Sequence, residues 1–357
     1  MLTVLQDPAG KGGTATAVHW YRTWMDANRP AERVEHYLDD STAATLRQVA
    51  TWDVQAAVPR RWPRLHLPQC ATGAFLLRDE VRGREIHVVG ASAVHGALAG
   101  RHPVQVVWIA TTITDERRPE IWRGRSPARR ALYRATRRPL ARLDHAVVHR
   151  AERNLAMSVH TADRLVAEGA DHRRVEVVPV PVDTATFAPP PSGADRHGAL
   201  FVGRANDWRK GFDRVSRLLQ RSASVRTRGV TAISSAPPVP QAGLRTLGRV
   251  EDLAPAYRGA ELLLLPSRQE GLGIVVLEAL ACATPVVAFR AGGPDQILIE
   301  SGGGTLVDDE AAFVVEVERL LAEPSRRADM GAAGRAWVEA NASSRAFLAD
   351  SSIFTTP

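Results

Sequence analysis

Segments with strand and helix patterns alternate along this chain, and the alternation runs twice. In the first half, apolar runs such as LTVLQ, REIHVVGA and PVQVVWIAT predict buried strands, AVHWYRTWM predicts a helix, and NLAMSVHT predicts a further strand. After an irregular stretch with Pro, Gly and Ser at 187–198, the pattern restarts at ALFVGR and continues through FDRVSRLLQR, ELLLLPS, IVVLEALA and PVVAF. Such alternation is typical of a parallel sheet covered by helices. We therefore predict an α/β fold with two parallel sheets.

The restart divides the chain into an N-terminal domain over 1–186, a linker over 187–198 and a C-terminal domain over 199–330. A chain of 357 residues with 45% apolar content is long enough for two hydrophobic cores. Parallel α/β sheets bind ligands beyond the carboxyl ends of their strands. A cleft between the two domains is therefore the expected site.

Several protein classes are disfavoured by the sequence. The N-terminal MLTVLQDPAGKGG reaches a glycine-rich turn before an apolar run builds up, and no stretch approaches about 18 apolar residues, so we expect a soluble, cytoplasmic protein. The two cysteines, Cys70 and Cys282, are far apart and have no thiol or histidine at metal-ligand spacing. We expect both to be reduced and structural, with no metal site.

The net charge of +7 fits nucleic acid, an anionic membrane or an acidic substrate as a partner. Much of it lies between Arg117 and Arg153, where arginines recur at helical intervals in ARRALYRATRRPLARL. This segment is either a solvated helix face or a contact for an anionic acceptor or membrane surface. Few aromatic residues and no helix-turn-helix or zinc motif accompany it, which disfavours a nucleic-acid-binding protein.

Only two of the basic residues are lysines, Lys11 and Lys210, and each lies beside glycine. A bias toward Arg codons explains the scarcity of lysine, and two lysines then remain by chance. Alternatively, the compact ammonium group marks a phosphate site where the planar guanidinium of arginine does not serve. The sequence favours the phosphate interpretation more strongly for Lys210 than for Lys11.

Two segments carry residues suited to a sugar nucleotide. In LLLLPSRQEGLGIVVLEALA, a strand ends in a loop with Glu270, and the next helix carries Glu278, so the two carboxylates can accept hydrogen bonds from sugar and ribose hydroxyls. The alternative is a loop cap and a surface helix residue. In ALFVGRANDWRKGFDRV, Arg204 follows Gly203 at a strand end and Lys210 precedes the next helix. These two cations can converge on a diphosphate.

Together, these segments resemble the retaining glycosyltransferases of family 4, the group 1 transferases with the two-Rossmann-domain GT-B architecture. The resemblance is strong over 199–300, moderate around VPVPVDTATF near Asp183 and weak at the N-terminal glycine loop. The residues in register with the family pattern are Gly203, Arg204, Lys210, Gly211, Pro266, Ser267, Glu270, Gly271, Gly273, Glu278, Ala279, Thr284, Pro285, Gly292 and Gly293.

The resemblance implies two Rossmann-like domains that face a central cleft, the first binding the acceptor and the second the nucleotide sugar. It implies that Arg204 and Lys210 bind the donor diphosphate, that Glu270 contacts the transferred sugar and that Glu278 binds the ribose. It also implies that backbone amides contact the donor at Gly12, Gly13, Gly203, Gly271, Leu272 and Gly273. Lys11 lies beside this N-terminal glycine loop, and in this family the C-terminal helices, here 331–357, cross back to the first domain.

The chain departs from the family pattern at three places. Many relatives carry a histidine at the end of an N-domain strand, where this chain has Ala110, Thr111 or Thr112. Thr111 and Thr112, together with Lys11, are therefore acceptor-side candidates, and His19, His87 and His95 are weaker substitutes for the histidine. ISSAPP around Ser234 replaces a Gly-x-Gly turn, and Ala283 stands where relatives commonly have glycine, a change that we expect to be tolerated.

The implied reaction is front-face substitution that retains the anomeric configuration, with Arg204 and Lys210 stabilising the leaving diphosphate. No Asp-x-Asp motif lies in a plausible donor loop, so we expect no metal or other cofactor. A nucleotide-sugar hydrolase or epimerase of the same fold is the alternative enzyme. The sequence leaves open the base, the sugar and the acceptor, for which a bacterial natural product and a glycoconjugate are both candidates.

Overall fold

The computed structural model describes residues 2–6, 13–32, 34–39, 53–58, 83–99, 101–122 and 126–355. The chain divides into two compact units, Met1–Val180 with Leu348–Pro357, and Pro181–Phe347. The stretch at 187–198 has no helix or strand and lies within the second unit. Of the C-terminal segment 331–357, the part from Leu348 onward groups with the first unit.

The described residues of the first unit contain a parallel sheet of seven strands in the order β3-β2-β1-β4-β5-β6-β7. Its strands are β1 Leu2–Gln6, β2 Val34–Asp39, β3 Asp53–Val58, β4 Glu85–Gly90, β5 Val104–Ile109, β6 Ala151–Ala156 and β7 Val175–Val177. Its helices are α1 Gly13–Asn28, α2 Ile113–Glu116, α3 Pro127–Arg150 and α4 Val159–Ala167. The segment NLAMSVHT is a strand only as far as Ala156, because Ser158 caps the N-terminus of α4.

The core of the first unit forms around β4 and β5, which are buried along almost their whole length. Helices cover parallel strands on both faces, so a near-continuous apolar run is the pattern that such strands require. Val88 and Val107 are paired across the two strands, and Val147 of α3 and Leu165 of α4 belong to the same buried cluster.

The end of the chain packs into this first unit through Phe354, which is fully buried. Its ring lies 4.8–5.1 Å from the rings of Tyr21, Trp24 and Trp108 in edge-on contacts. The Arg153 guanidinium donates hydrogen bonds to the carbonyl oxygens of three residues of this end, Ser352, Ile353 and Thr355. Aromatic burial and a charged hydrogen-bond donor thus hold the chain end in place.

The second unit contains a parallel sheet in the order β10-β9-β8-β11-β12-β13. Its strands are β8 Ala199–Val202, β9 Val230–Ile233, β10 Leu244–Leu247, β11 Leu262–Leu265, β12 Val286–Phe289 and β13 Gly304–Val307. The helices that follow along the chain are α5 Phe212–Arg221, α6 Ala223–Arg228, α7 Ala254–Gly259, α8 Ile274–Ala281, α9 Gly293–Ser301, α10 Glu310–Ala322, α11 Pro324–Asn341 and α12 Ser344–Ala349. The prediction of two parallel α/β sheets is therefore confirmed.

Apolar residues at helical spacing attach α5 to the second sheet. Phe212, Val215, Leu218 and Leu219 are buried in one cluster with residues of β8, β11 and α10. This spacing of three and four residues places one face of the helix on the sheet. No helix among the described residues is both long enough and apolar enough to cross a bilayer.

Candidate active site

The two motif segments meet beyond the carboxyl ends of the neighbouring strands β8 and β11. Gly211 has a left-handed φ of 64°, and a Cβ there would lie 2.0 Å from the carbonyl oxygen of Pro266. The Arg268 amide also donates a hydrogen bond to the Arg209 carbonyl at 2.7 Å. Glycine at 211 is therefore required both by the turn and by the close approach of the two loops.

This approach brings Lys210 and Glu270 into direct contact. The Lys210 Nζ atom donates a hydrogen bond to Glu270 Oε1 at 2.7 Å, and the Ser267 hydroxyl donates to the same oxygen at 2.7 Å. The Glu270 side chain is 9% exposed and the Lys210 side chain 25%. The pair is therefore largely shielded from water, and both bonds fall on Oε1, so Oε2 takes no part in them.

Arg204 lies in the same loop as Lys210 but has a different partner. Its guanidinium donates to Asp207 Oδ2 at 3.0 Å, and 58% of its side chain is exposed. Burial alone would raise the pKa of Asp207, but hydrogen bonds from Arg209 and the nearby positive charges lower it to about 2. Asp207 is therefore anionic at neutral pH and holds the side chains of Arg204 and Arg209 in the loop that follows β8.

Glu278 lies on α8 and is half-buried. The Tyr257 hydroxyl donates a hydrogen bond to its Oε2 at 2.7 Å. Burial raises the pKa of Glu278 to about 7, although the bond from Tyr257 acts in the opposite direction. The carboxylate thus has one oxygen held by a tyrosine and a charge that its surroundings disfavour.

The glycines that follow Glu270 allow close backbone contacts. A Cβ on Gly293 would lie 1.9 Å from the Gly271 carbonyl oxygen, and the Gly293 amide donates to the Glu270 carbonyl at 3.0 Å. Gly273 adopts a φ of 80° immediately before α8 begins, and Leu272 between the two glycines is buried. A Cβ on Gly203 would lie 3.6 Å from the Lys210 side chain. The loop is therefore packed against the starts of two helices, α8 and α9.

The structure describes some of the candidate residues of the first unit and not others. Gly13 is the first residue of α1, whereas Lys11, Gly12 and Cys70 lie outside the described residues. Thr112 is fully buried, donates to Glu168 Oε1 at 2.8 Å and caps α2 by accepting from the Asp115 amide. Thr111 is partly exposed, so it is the more accessible of the two threonines.

The structure describes the side chains of two of the three histidines considered as substitutes. His87 is fully buried, with Nδ1 at 2.8 Å from the Tyr21 hydroxyl and Nε2 at 2.9 Å from Glu85, and burial lowers its pKa. Both of its ring nitrogens are therefore engaged in the core. His19 is exposed on α1, and the side chain of His95 lies outside the described residues.

Sequence reasoning missed a histidine at the carboxyl end of the first sheet. His160, in the first turn of α4, places Nε2 at 3.3 Å from Oδ2 of the buried Asp115, which Arg118 also approaches to 3.1 Å. The available signal was the position of His160 directly after a strand and a serine cap. Tyr257 was missed as the partner of Glu278 because only the fold brings them together, whereas Ser267 is three residues from Glu270 and was in register with the family pattern but had no role assigned.

The departures from the family pattern have local structural explanations. The Ser234 hydroxyl accepts from the Ala205 amide at 3.0 Å and donates to the Ala236 carbonyl, so it braces the loop that follows β8. Ala283 has a φ of 52°, a left-handed conformation in which glycine carries no steric penalty. Within the described residues, no three His, Cys, Asp or Glu side chains are grouped so as to hold a metal.

Comparisons with known proteins agree with the motif segments. Residues 196–323 match the family model described as glycosyl transferases group 1. A D-inositol 3-phosphate glycosyltransferase of Kineococcus radiotolerans is 33% identical over 237 residues, which cover 49% of this chain and 52% of that protein. The chain thus spans about half the length of the curated relatives it matches.

Solved structures share the fold over nearly the whole chain. WaaG, a glycosyltransferase involved in lipopolysaccharide biosynthesis, gives a TM-score of 0.74 at 15% identity and covers 100% of both chains. HepE of Anabaena in complex with UDP gives 0.72 at 17% identity, covering 98% of this chain and 97% of that one. Residues 196–323 are thus similar to the group 1 glycosyl transferases, and the chain has the GT-B fold.

Proposed function

We propose that this chain transfers a sugar from a nucleotide diphosphate donor to a hydroxyl-bearing acceptor, with retention of anomeric configuration and without a metal. The observation that carries the proposal is the contact of Lys210 with Glu270 beyond the carboxyl ends of β8 and β11. This is the edge of a parallel sheet where ligands bind. The inositol-phosphate glycosyltransferase relative and the UDP complex of HepE support a sugar nucleotide as the donor.

The proposed chemistry follows from the two cations. As the bond between the anomeric carbon and the diphosphate oxygen breaks, negative charge grows on the diphosphate, where Lys210 and Arg204 stabilise it. The acceptor oxygen bonds to the same face of the sugar, and its proton passes to the departing diphosphate oxygen. Two fixed cations supply the charge that a divalent metal would otherwise provide.

The two glutamates orient the donor in this proposal. Glu270 has Oε1 fixed by Lys210 and Ser267, which leaves Oε2 to accept a hydrogen bond from a hydroxyl of the transferred sugar. Glu278 has Oε2 fixed by Tyr257, which leaves Oε1 for a ribose hydroxyl. Each carboxylate is thus oriented by the protein before the donor arrives, which lowers the entropy lost on binding.

The basic helix α3 suggests a contact with an anionic surface. Arg130, Arg134, Arg138 and Arg142 are all exposed and recur every four residues, so they form one stripe along the helix. We propose that this stripe makes weak contact with an anionic membrane surface at the cytoplasmic face. Sedimentation with vesicles containing acidic lipid should exceed sedimentation with neutral vesicles and should fall as salt rises; equal sedimentation would exclude the contact.

The proposal is tested by assaying a panel of UDP, GDP, ADP and TDP sugars with and without acceptor. Lys210→Ala should lower turnover about 10²–10³-fold, as expected for a lost group that stabilises the transition state. Arg221→Ala, at an exposed arginine on α5, is the control. Near-normal turnover in Lys210→Ala would refute the assignment of Lys210.

Two further measurements complete the test. Release of free sugar or formation of an epimer at the same rate without acceptor would favour the alternative hydrolase or epimerase over transfer. The anomeric configuration of the product, determined by NMR, tests retention independently of the mutations.

A further inference from the structure

Two histidines outside the proposed donor site lie in contact on α3. His145 and His149 are four residues apart, so they occupy the same face of the helix. Their Nε2 atoms are 2.7 Å apart, their ring centroids are 3.9 Å apart, and both side chains are exposed. Neither residue has a role in the proposed sugar transfer.

A third electron-pair donor lies beside the two histidines. The carbonyl oxygen of Glu168 lies 2.7 Å from His145 Nε2. Glu168 is the C-terminal cap of α4, where the helix dipole places partial negative charge and favours a cation. The Glu168 carbonyl oxygen and His149 Nε2 therefore each lie 2.7 Å from His145 Nε2, so three electron-pair donors are grouped around one nitrogen.

Gly169 lies next to the two histidine rings and has no side chain. This residue has a φ of 95°, and a Cβ there would lie 3.5 Å from His149 Nε2 and 3.6 Å from His145 Nε2. Any other residue would place a methyl group or more against the two nitrogens. Glycine at 169 thus leaves this side of the two nitrogens without a side chain in contact.

Without a metal ion, the two short contacts of His145 Nε2 cannot both be good hydrogen bonds. The carbonyl oxygen only accepts, so a bond to it requires a proton on His145 Nε2. That nitrogen then has no lone pair for His149, and the His149 lone pair shares the same single proton. The lone pairs of the carbonyl oxygen and of His149 Nε2 thus compete for one hydrogen, whereas a metal ion accepts a lone pair from each of the three atoms.

We propose that His145, His149 and the Glu168 carbonyl form a binding site for a divalent transition metal of the zinc, nickel or copper type. Imidazole nitrogens suit these ions, with metal–nitrogen distances of about 2.0–2.1 Å. Water completes the coordination. The proton of His145 moves from Nε2 to Nδ1 when the metal binds, so no other group has to take it up.

The site would link α3 to the end of α4 within the first unit. It shares no residue with the proposed donor site, so the inference does not depend on the proposed function. Removal of the metal should therefore leave sugar transfer unchanged, which separates this site from the chemistry.

The test is titration of the metal-free full-length protein with Zn²⁺, followed by calorimetry, and with Co²⁺, followed by visible absorption. Wild-type protein should bind one ion, and His149→Ala should bind it at least tenfold more weakly. His172→Ala, which removes a highly exposed histidine from the same unit, is the matched control and should bind as the wild type does.

The melting temperature of each metal-free variant shows whether it folds, and His145→Ala provides a second test if His149→Ala does not. Failure of the wild type to bind Zn²⁺, or equal binding by wild type and both α3 variants, would overturn the inference. Loss of binding in His172→Ala alone would also overturn it, because the metal would then lie elsewhere.

Discussion

Glu278→Gln should stabilise the second unit while weakening donor binding. Burial raises the pKa of Glu278 from 4.5 to about 7, so the folded state disfavours its ionised form. Glutamine is neutral at every pH, has nearly the same shape and can still accept the hydrogen bond from Tyr257. The substitution therefore removes the buried charge and keeps its partner satisfied.

The sign and size of the effect on stability follow from the difference between the pKa of Glu278 in the folded and in the unfolded state. Below pH 4.5 the carboxyl group is protonated in both the folded and the unfolded states, so Glu278 does not reduce stability there. As pH rises from 4.5 to about 7, the unfolded chain ionises Glu278 while the folded protein keeps it protonated, so stability falls over this range and levels off above it. At about 1.4 kcal/mol per pKa unit, with allowance for partial exposure, the ionised group lowers the free energy of unfolding by about 2–3 kcal/mol above pH 7.

Differential scanning calorimetry from pH 5 to 8.5 measures this difference. The melting temperatures of wild type and Glu278→Gln should nearly coincide at the acidic end and separate by about 4–12 °C at the basic end, since about 1 kcal/mol shifts a unit of this size by about 2–4 °C. Glu300→Gln, at an exposed glutamate on α9, is the control and should show no such divergence. A separation that does not change with pH would refute the reasoning.

The same variant tests the role of Glu278 in binding. A hydrogen bond to a charged group contributes about 1.5–3 kcal/mol, so the dissociation constant for a nucleoside diphosphate should rise about 10–100-fold. Calorimetric titration of both proteins above pH 8, where wild-type Glu278 is ionised, measures it. Higher stability with unchanged nucleotide affinity would remove Glu278 from the donor site.

Three further outcomes are expected. Phe354→Ala should lower the free energy of unfolding of the first unit by about 3–5 kcal/mol, because the ring packs against three aromatic side chains; a melting temperature equal to that of the wild type would contradict this. Ala283→Gly should raise stability by up to about 1 kcal/mol by relieving its φ of 52°, and a loss of stability in urea unfolding would show that the strain is small. Turnover should persist in excess EDTA, and dependence on added Mg²⁺ or Mn²⁺ would overturn the proposed role of Arg204 and Lys210.

Local pattern was enough to predict most elements of the second unit. FDRVSRLLQR and IVVLEALA coincide with α5 and α8, since apolar spacing and the flanking glycines specify both the helix and its start. The two motif loops follow neighbouring strands, so their meeting is a consequence of sheet order. Lys210 and Glu270 were predicted for one site, and their direct contact was not.

Contacts between distant segments were beyond sequence reasoning. Tyr257 and Glu278 lie on separate helices, and His160 and Asp115 follow different strands, so only packing brings each pair together. Phe354 is one aromatic residue near the chain end, without a period or motif to indicate that it is buried. Single-residue contacts of this kind depend on tertiary structure, which local periodicity does not encode.

The contact of Lys210 with Glu270 explains why a lysine occurs here in a chain that has only one other lysine. An arginine fork binds both oxygens of a carboxylate at once. Such a bidentate pair would occupy Oε2 of Glu270 and leave no acceptor for a sugar hydroxyl. The lysine ammonium bonds to Oε1 alone and carries two further N–H groups, which remain for the diphosphate. One compact cation can therefore hold the sugar-binding carboxylate in place and still stabilise the leaving group, which a planar guanidinium does not do at this position.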